Sequence, residues 1–388
     1  MLRHIIKLIW NNKKNNFLLF VEMFVSFIIL CAVSSFMYFN LQKISQPLGF
    51  ETKDRLSILL DDLYSKDSLL VADMMTHLDI QLKQEPEIEA VSYTNGPFPF
   101  SGNQWTTSTE NNGIPNHTLT CETTEDYHST MGISLKEGRW FRKPLTNEDK
   151  DEVVVNQAFI DKNLGGKYVL DSFINIGEEK KLVGIVETYK YNGEFVPNDP
   201  TVISYIAKTD RNIMNVVLKM KPGTTIAFQE KLIKIITDVT KSTSFVINNL
   251  DDERKETSHE TWVILSVLLA CSVFLFINVA MGLFGVLWYN INKRRSEISL
   301  RKAMGATNIV IITQFLTETG GLAILAITFG LIFAIQVPIF KIIDVDSQIM
   351  YTGIGFSVIF VLGLVLVCAF YPAWKGAQIH PATGLKEE

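Results

Sequence analysis

Six histidines (4, 77, 117, 128, 259 and 380) and four cysteines (31, 121, 271 and 368) are the side chains best suited to metal or nucleophile chemistry. Their spacing assembles no site. His259-Glu260 lacks the second histidine at i+4 that a zinc-protease helix needs. His117, Cys121, Glu122 and His128 could meet at one metal, but surface histidines are the simpler expectation. Gly165-Gly166-Lys167 lacks the upstream glycine and the following hydroxyl of a phosphate loop, so the chain is not expected to hydrolyse ATP itself. No nucleophile stands beside a base. The acids Glu148, Asp149, Asp151 and Glu152 read as a solvated turn. The expectation is no catalytic, cofactor-binding or metal-binding residue.

The charged residues say more. Lys293, Arg294, Arg295, Arg301 and Lys302 stand against one acid, Glu297, within 290–308. Glu297 to Met304 consists of strong helix formers, with Glu297 and Arg301 in the favourable i,i+4 order. Gly305 suits the left-handed position just past a helix end, and Thr307 can cap the next helix. The spacing predicts a short basic helix, a sharp turn, then a long helix. Ile298, Ala303 and Met304 give it a modest apolar surface. Two readings follow: anchoring by lipid headgroups, or docking of a rigid helix onto a partner. Two more acids, Glu22 and Glu318, fall inside long apolar runs. A charge at the centre of a membrane helix costs ~2.5 kcal/mol or more. Snorkelling or a structural pair with a nearby Lys or Arg is expected of both, and proton coupling is the sharper alternative.

Those runs are Phe17–Phe39, Trp262–Tyr289, Ile309–Phe340 and Ile349–Ala373. Each exceeds the ~20 residues that cross a bilayer. A composition 47% hydrophobic and 20% charged excludes a disordered chain and a collagen-like one. Segments 1–16, 290–308 and 374–388 together carry 11 basic and 3 acidic residues, whereas 40–260 carries 24 and 34. The positive-inside rule then places both termini and the 290–308 loop in the cytoplasm, and 40–260 outside. Four spans require the same parity. The net charge of −5 is a cancellation of these parts and argues against a nucleic-acid partner. The first run is longer than the ~7–15 residues of a signal core, so an uncleaved anchor is expected. Residues 3–10 read as an amphipathic helix on the inner membrane surface. The plan is an N-terminal helix in 1–16, spans at 17–39, 262–289, 309–340 and 349–373, and an outer domain with stalk ends at 40–261. A cytoplasmic loop at 290–308, a short outer loop at 341–348 and a cytoplasmic tail at 374–388 complete it.

The outer segment reads as mixed α and β. Apolar residues at helical spacing predict helices over Asp67–Lys83, Glu125–Met131, Gln157–Asn163 and Thr225–Lys241. Strands are expected at Leu56–Leu60, Ile88–Tyr93, Leu119–Thr123, Val153–Val155, Thr201–Ile206, Val216–Met220 and Phe245–Ile247. Phe173–Ile176 and Lys181–Val186 form a hairpin around Gly177, and 94–118 reads as loop or short hairpins. The fold class is therefore an α-helical membrane protein with four transmembrane helices, plus an α/β two-lobed extracytoplasmic domain between helices 1 and 2. The stretch 95–205 is expected as the inserted second lobe. Cys121 is the lone cysteine of this segment, so a core and not a disulfide must hold it. From Asp251 no Gly or Pro occurs until Gly282. The second span is thus expected to continue outward as a helical stalk, paired with one near 40–52.

The loop Arg295-Ser-Glu-Ile-Ser-Leu-Arg-Lys-Ala-Met-Gly-Ala-Thr307, continued by Gln314-Phe-Leu-Thr-Glu318, resembles the permease family of MacB-type and FtsX-like ABC transporters. The tail Tyr371-Pro-Ala-Trp-Lys-Gly-Ala-Gln-Ile-His-Pro-Ala-Thr-Gly-Leu385 is similar to the family's ending. Lys136-Glu-Gly-Arg-Trp-Phe141, Glu152-Val-Val-Val-Asn156 and Lys181-Leu-Val-Gly-Ile-Val186 also look like its outer domain. The resemblance implies a bacterial inner-membrane permease that pairs with a second permease, as homo- or heterodimer, and with a cytoplasmic ATPase dimer. It implies that Glu297–Met304 is the coupling helix, so Arg294, Arg295, Glu297, Ile298, Arg301, Lys302, Met304 and Gly305 are the expected ATPase-docking residues. ATP and Mg would bind the partner and not this chain. MacB carries its ATPase fused ahead of the spans; only 16 residues precede the first span here, so a separate ATPase is expected. The implied work is mechanotransmission, for efflux of an antibiotic, peptide or other periplasmic substrate, with a periplasmic adaptor and outer-membrane channel as further candidate partners. Lipoprotein release and control of wall hydrolases are alternatives within the family. A membrane-anchored ligand sensor and a secondary transporter are the rivals outside it. The first would need a cytoplasmic output domain, the second a polar pathway across the spans.

Overall fold

The computed structural model describes residues 13–60, 67–96, 98–102, 104–111, 114–145, 152–224, 226–342 and 345–379. The helix expected at 3–10 and the acids Glu148, Asp149 and Asp151 lie outside the described residues. The helices are α1 Lys13–Ser45, α2 Ser68–Gln84, α3 Tyr127–Met131, α4 Gln157–Asn163, α5 Ile226–Thr240, α6 Leu250–Lys293, α7 Arg295–Ala303, α8 Asn308–Ala334, α9 Gln336–Ile339 and α10 Ser347–Ala377. The strands are β1 Arg55–Leu60, β2 Ile88–Asn95, β3 Thr106–Asn111, β4 Ile114–Thr123, β5 Leu135–Gly138, β6 Glu152–Asn156, β7 Phe173–Asn175, β8 Glu179–Val186, β9 Thr201–Tyr205, β10 Asn215–Met220 and β11 Phe245–Asn249. Two compact units result, Met1–Gln42 with Val263–Glu388, and Lys43–Trp262.

The first unit holds the apolar helices. Among the described residues, four helical stretches, within α1, α6, α8–α9 and α10, are long and apolar enough to cross a membrane. Their shared core includes Met23 and Phe27 of α1, Val279 and Leu283 of α6, Ala326 of α8 and Val365 of α10. Apolar burial against lipid gives little net drive, so close approach matters more. At Gly353 of α10 a Cβ would stand 2.6 Å from the Ser35 Cα of α1. The glycine lets the two backbones touch there. Ser34 Oγ donates to the Gly353 carbonyl at 2.8 Å and lies 2.7 Å from Ser357 Oγ. The third run is not one helix: α8 ends at Ala334 and α9 starts at Gln336. Pro338 has no N–H to offer the Ala334 carbonyl. A stalk helix was expected through residue 52, but α1 stops at Ser45. Pro47 follows, and Gly49 adopts φ +90°, which no helix accommodates. The second apolar run does continue as helix on its N-terminal side, since α6 is one helix of 44 residues. Asp251, Asp252 and Glu253 in its first turn suit the positive end of its dipole.

The second unit is built on a single 11-stranded sheet of order β11-β1-β10-β2-β4-β9-β6-β8-β5, with β3 beside β4 and β7 beside β8. Most pairs are antiparallel, but β4–β9 and β6–β8 are parallel. The two expected lobes are the two halves of this sheet. They join through β2 and β4, by the pairs Thr94↔Thr123 and Asn95↔Glu122. In the first half, α2 and α5 cover one face. Phe228, Leu232 and Ile236, four residues apart on α5, meet Val71, Met75 and Leu78 of α2 over Ile58 and Val216. In the second half both faces are covered, as the run Val153-Val154-Val155 demands. Successive strand side chains alternate. Val153 and Val155 pack with Phe159 and Ile160 of α4, while Val154 packs with Tyr127, Met131 and Phe141. Each fully buried valine or phenylalanine contributes roughly 1.5–3 kcal/mol, so no disulfide is required. Cys121 is buried in the second half, and burial pushes its thiol up to about 12.

Candidate functional site

The basic stretch after the second span folds as a latched helix. Only Arg294 separates α6 from α7. The Arg294 N–H donates to the carbonyls of Asn290 (3.1 Å) and Ile291 (3.2 Å), so α7 follows α6 almost without a break. The far end of α7 closes as the sequence predicts. Gly305 takes φ +98°, its N–H donates to the Lys302 carbonyl at 3.0 Å, and the Ala306 N–H donates to Arg301 at 3.0 Å. That pair of bonds is a Schellman motif. Thr307 occupies the N-cap of α8, but its side chain makes no capping bond.

A chain of polar contacts ties α7 to α8. Arg301 donates to the Glu297 carboxylate at 2.5 Å and also to Gln314 Oε1. Gln314 Nε2 donates to Glu318 Oε1 at 3.0 Å, and Arg294 Nη1 donates to Glu318 Oε2 at 2.9 Å. Glu318 is thus structurally paired with a cation. Beneath this chain, Ile298 of α7 is buried with Ile291, Ile311, Phe315, Ala373 and Ala377. Lys302 turns the other way and caps α10, donating to the carbonyls of Ala377 at 2.5 Å and Ile379 at 3.1 Å. A cation there also meets the negative end of the α10 dipole.

The expected docking residues therefore separate. Arg294, Ile298, Arg301 and Lys302 face the bundle and hold α7 in place. Glu297 is exposed but holds Arg301, Arg295 opens the helix, and Met304 and Gly305 stand in the open. Leu300, which is not among the docking residues expected from sequence, is 52% exposed and Met304 is 74% exposed. They lie four residues apart and share one face. Gln314 is a bridging group that the expected set does not include; its i,i+4 spacing to Glu318 is the signal in the sequence.

Glu22 behaves differently from Glu318. Its carboxylate lies against Gly282 of α6, where a Cβ would stand 2.6 Å from both oxygens. Among the described residues it has no hydrogen-bond partner. In the same unit an apolar cleft of about 710 Å³ is lined by Cys31, Phe36, Leu268, Phe333, Pro338 and Met350, among others. No carboxylate or basic group lines it, so it offers no polar pathway among the described residues. No cluster of three metal-ligating side chains occurs among the described residues; His128 stacks on Trp140 instead, 5.2 Å between ring centres.

The chain matches the family described as MacB-like periplasmic core domain over residues 24–235. It matches the one described as FtsX-like permease C-terminal over 263–381. Among curated relatives it is 24% identical to the macrolide export ATP-binding/permease protein MacB of Rhodopseudomonas palustris, over 79% of this chain and 48% of that one. It is 22% identical to the protein of the same name from Acinetobacter baylyi, over 79% and 47%. The chain thus spans about half the length of these relatives. The periplasmic region of MacB from Actinobacillus actinomycetemcomitans, a solved structure, aligns at 15% identity and TM-score 0.37, over 56% of this chain and 98% of that one. With the first match covering more than half of the sequence and the second covering the latched helix and its spans, this bacterial inner-membrane chain belongs to the MacB-like, FtsX-like permease family of ABC transporters.

Proposed function

We propose that the chain is the permease subunit of an ABC transporter whose ATPase is a separate cytoplasmic protein, and that α7 is its coupling helix. The observation that carries this reading is the latch. A helix fixed to α8 by the Arg301–Gln314 bond and by the Arg294–Glu318 ion pair at its N-cap, and to α10 by a lysine, transmits a push, whereas a loose basic loop absorbs it. The apolar pair Leu300 and Met304 then projects away from the latch as the surface for a partner. Charge supports the orientation, because the basic segments 1–16 and 290–308 favour the cytoplasm. Closure of a nucleotide-binding dimer would displace α7, and α6, continuing from it, would carry the displacement outward. ATP and Mg are bound and hydrolysed on the partner. A second permease completes a dimer, and the outer domain performs mechanical work on a periplasmic substrate, with export of an antibiotic or peptide as the leading case.

Reversing Arg301 and Lys302 would tear the latch itself and so cannot isolate docking. The better test is Leu300→Glu with Met304→Glu. Each side chain is worth ~1.5–3 kcal/mol when fully buried, so losing both should lower recovery of the ATPase at least tenfold. The full chain is purified in mild detergent from its own host and co-purified ATPase is quantified. Recovery equal to wild type would remove the coupling-helix assignment.

A further inference from the structure

Within Lys43–Trp262, segment 187–199 leaves β8 and returns to β9, and on the way it meets the ends of two long helices. Lys190 is 1% exposed. Its Nζ donates to the Lys43 carbonyl, in the last turn of α1, at 2.7 Å and to the Glu194 carbonyl at 2.5 Å. Its backbone N–H donates to the Leu48 carbonyl at 2.9 Å. Burying an ammonium is expensive unless its hydrogen bonds are met, and the end of a helix is where a cation is best received. Burial, with Lys43 adding to it and Glu194 opposing, lowers this lysine to about 8.

Four residues on, Glu194 engages α6. Arg254 Nε donates to one carboxylate oxygen at 2.9 Å, and Nη2 reaches the same oxygen. Ser258 Oγ lies 3.3 Å from the other. Phe195 then packs edge-on against Trp262, with 5.7 Å between ring centres. Arg254, Ser258 and Trp262 recur every four residues, so one face of α6 is addressed. A connection needed only to join two strands has no use for a buried lysine or for three contacts in register on a distant helix.

We propose that 187–199 is a clasp, with Lys190 gripping the end of α1 and Glu194 gripping α6, so that the two helices are positioned by one another as well as by the sheet. Its use in transmitting a stroke rests on the coupling-helix reading; the clasp itself does not. Nitroxide labels at Gln46→Cys and Glu256→Cys, both exposed positions, report it in the full chain in lipid nanodiscs, with Cys271 and Cys368 replaced by alanine. The distance distribution should be narrow, should broaden at least twofold in Glu194→Ala, and should narrow again when Glu194→Arg is combined with Arg254→Glu. Protease resistance of the outer unit checks folding. If Glu194→Ala does not fold, Arg254→Leu with Ser258→Ala removes the same grip from the other side and is read by the same criteria. An unchanged width in a folded single-grip variant overturns the proposal, as does a folded charge swap that stays broad. Neither result touches ATPase recovery by the Leu300/Met304 surface, so failure of the clasp and failure of the coupling-helix reading are separable.

Discussion

Ile298→Asp is expected to undock α7 from the bundle. Ile298 is 4% exposed among Ile311, Phe315 and Ala373. Its burial is worth ~1.5–3 kcal/mol, and a carboxylate in its place adds a desolvation cost of several kcal/mol. Arg294 and Arg301 flank the position but are already engaged with Glu318, Glu297 and Gln314. The helix gives way because it has no stability of its own. It is nine residues long, and isolated helices below ~12–15 residues are marginal in water. Hydrogen exchange should then show residues 298–304 losing protection while the outer unit keeps its own. Ile298→Leu conserves volume and should leave the pattern unchanged. Full protection in the aspartate variant would mean that the apolar contact does not hold the helix.

The pair Arg294–Glu318 should show a strong asymmetry. Both side chains are mostly buried, 19% and 16% exposed. Glu318→Leu leaves Arg294 without its carboxylate and Gln314 without its acceptor. Breaking one side of a buried pair costs ~3–5 kcal/mol, and the low end fits a pair near the membrane surface. Replacing both partners by leucine is often close to neutral. Thermal unfolding of the full chain in detergent should therefore drop clearly for the single variant and recover in Glu318→Leu with Arg294→Leu. Equal destabilisation by both would contradict the assignment of the pair as structural and return Glu318 to proton chemistry.

Much of this architecture is visible in the residues. Long apolar runs with at most one charge each point to membrane-crossing helices, and Gly305 marks the end of α7 because only a residue tolerant of positive φ closes a Schellman motif. The run Val153-Val154-Val155 marks a strand, and the fold adds that both of its faces are buried. What could not be read depends on distance along the chain. Glu318 finds Arg294 24 residues away, and nothing local distinguishes Arg294 from Arg295 or Arg301 as its partner. The sequence also gives basic residues an outward role by default; here Arg301 and Lys302 turn inward, because Gln314 and the last carbonyls of α10 need donors. β5 escaped notice because Leu135-Lys-Glu-Gly138 has no apolar alternation; its pairing with β8 alone makes it a strand. The 94–118 stretch was open between loop and hairpin, and β3 with β4 resolves it as a hairpin from Thr106↔Leu119 to Asn111↔Ile114. The two lobes were legible, but their fusion into one sheet was not, since two residue pairs between β2 and β4 make the joint.

In the proposed transporter the exposed face of α7 meets a nucleotide-binding subunit. A photoreactive phenylalanine analogue placed at Met304, in the full chain and in membranes of its own host, tests this most directly. Irradiation followed by mass spectrometry should identify an adduct with an ABC ATPase. The same probe at Phe173, 64% exposed on the outer unit, should yield none. An adduct with lipid alone at Met304, or an ATPase adduct at Phe173, would contradict the account.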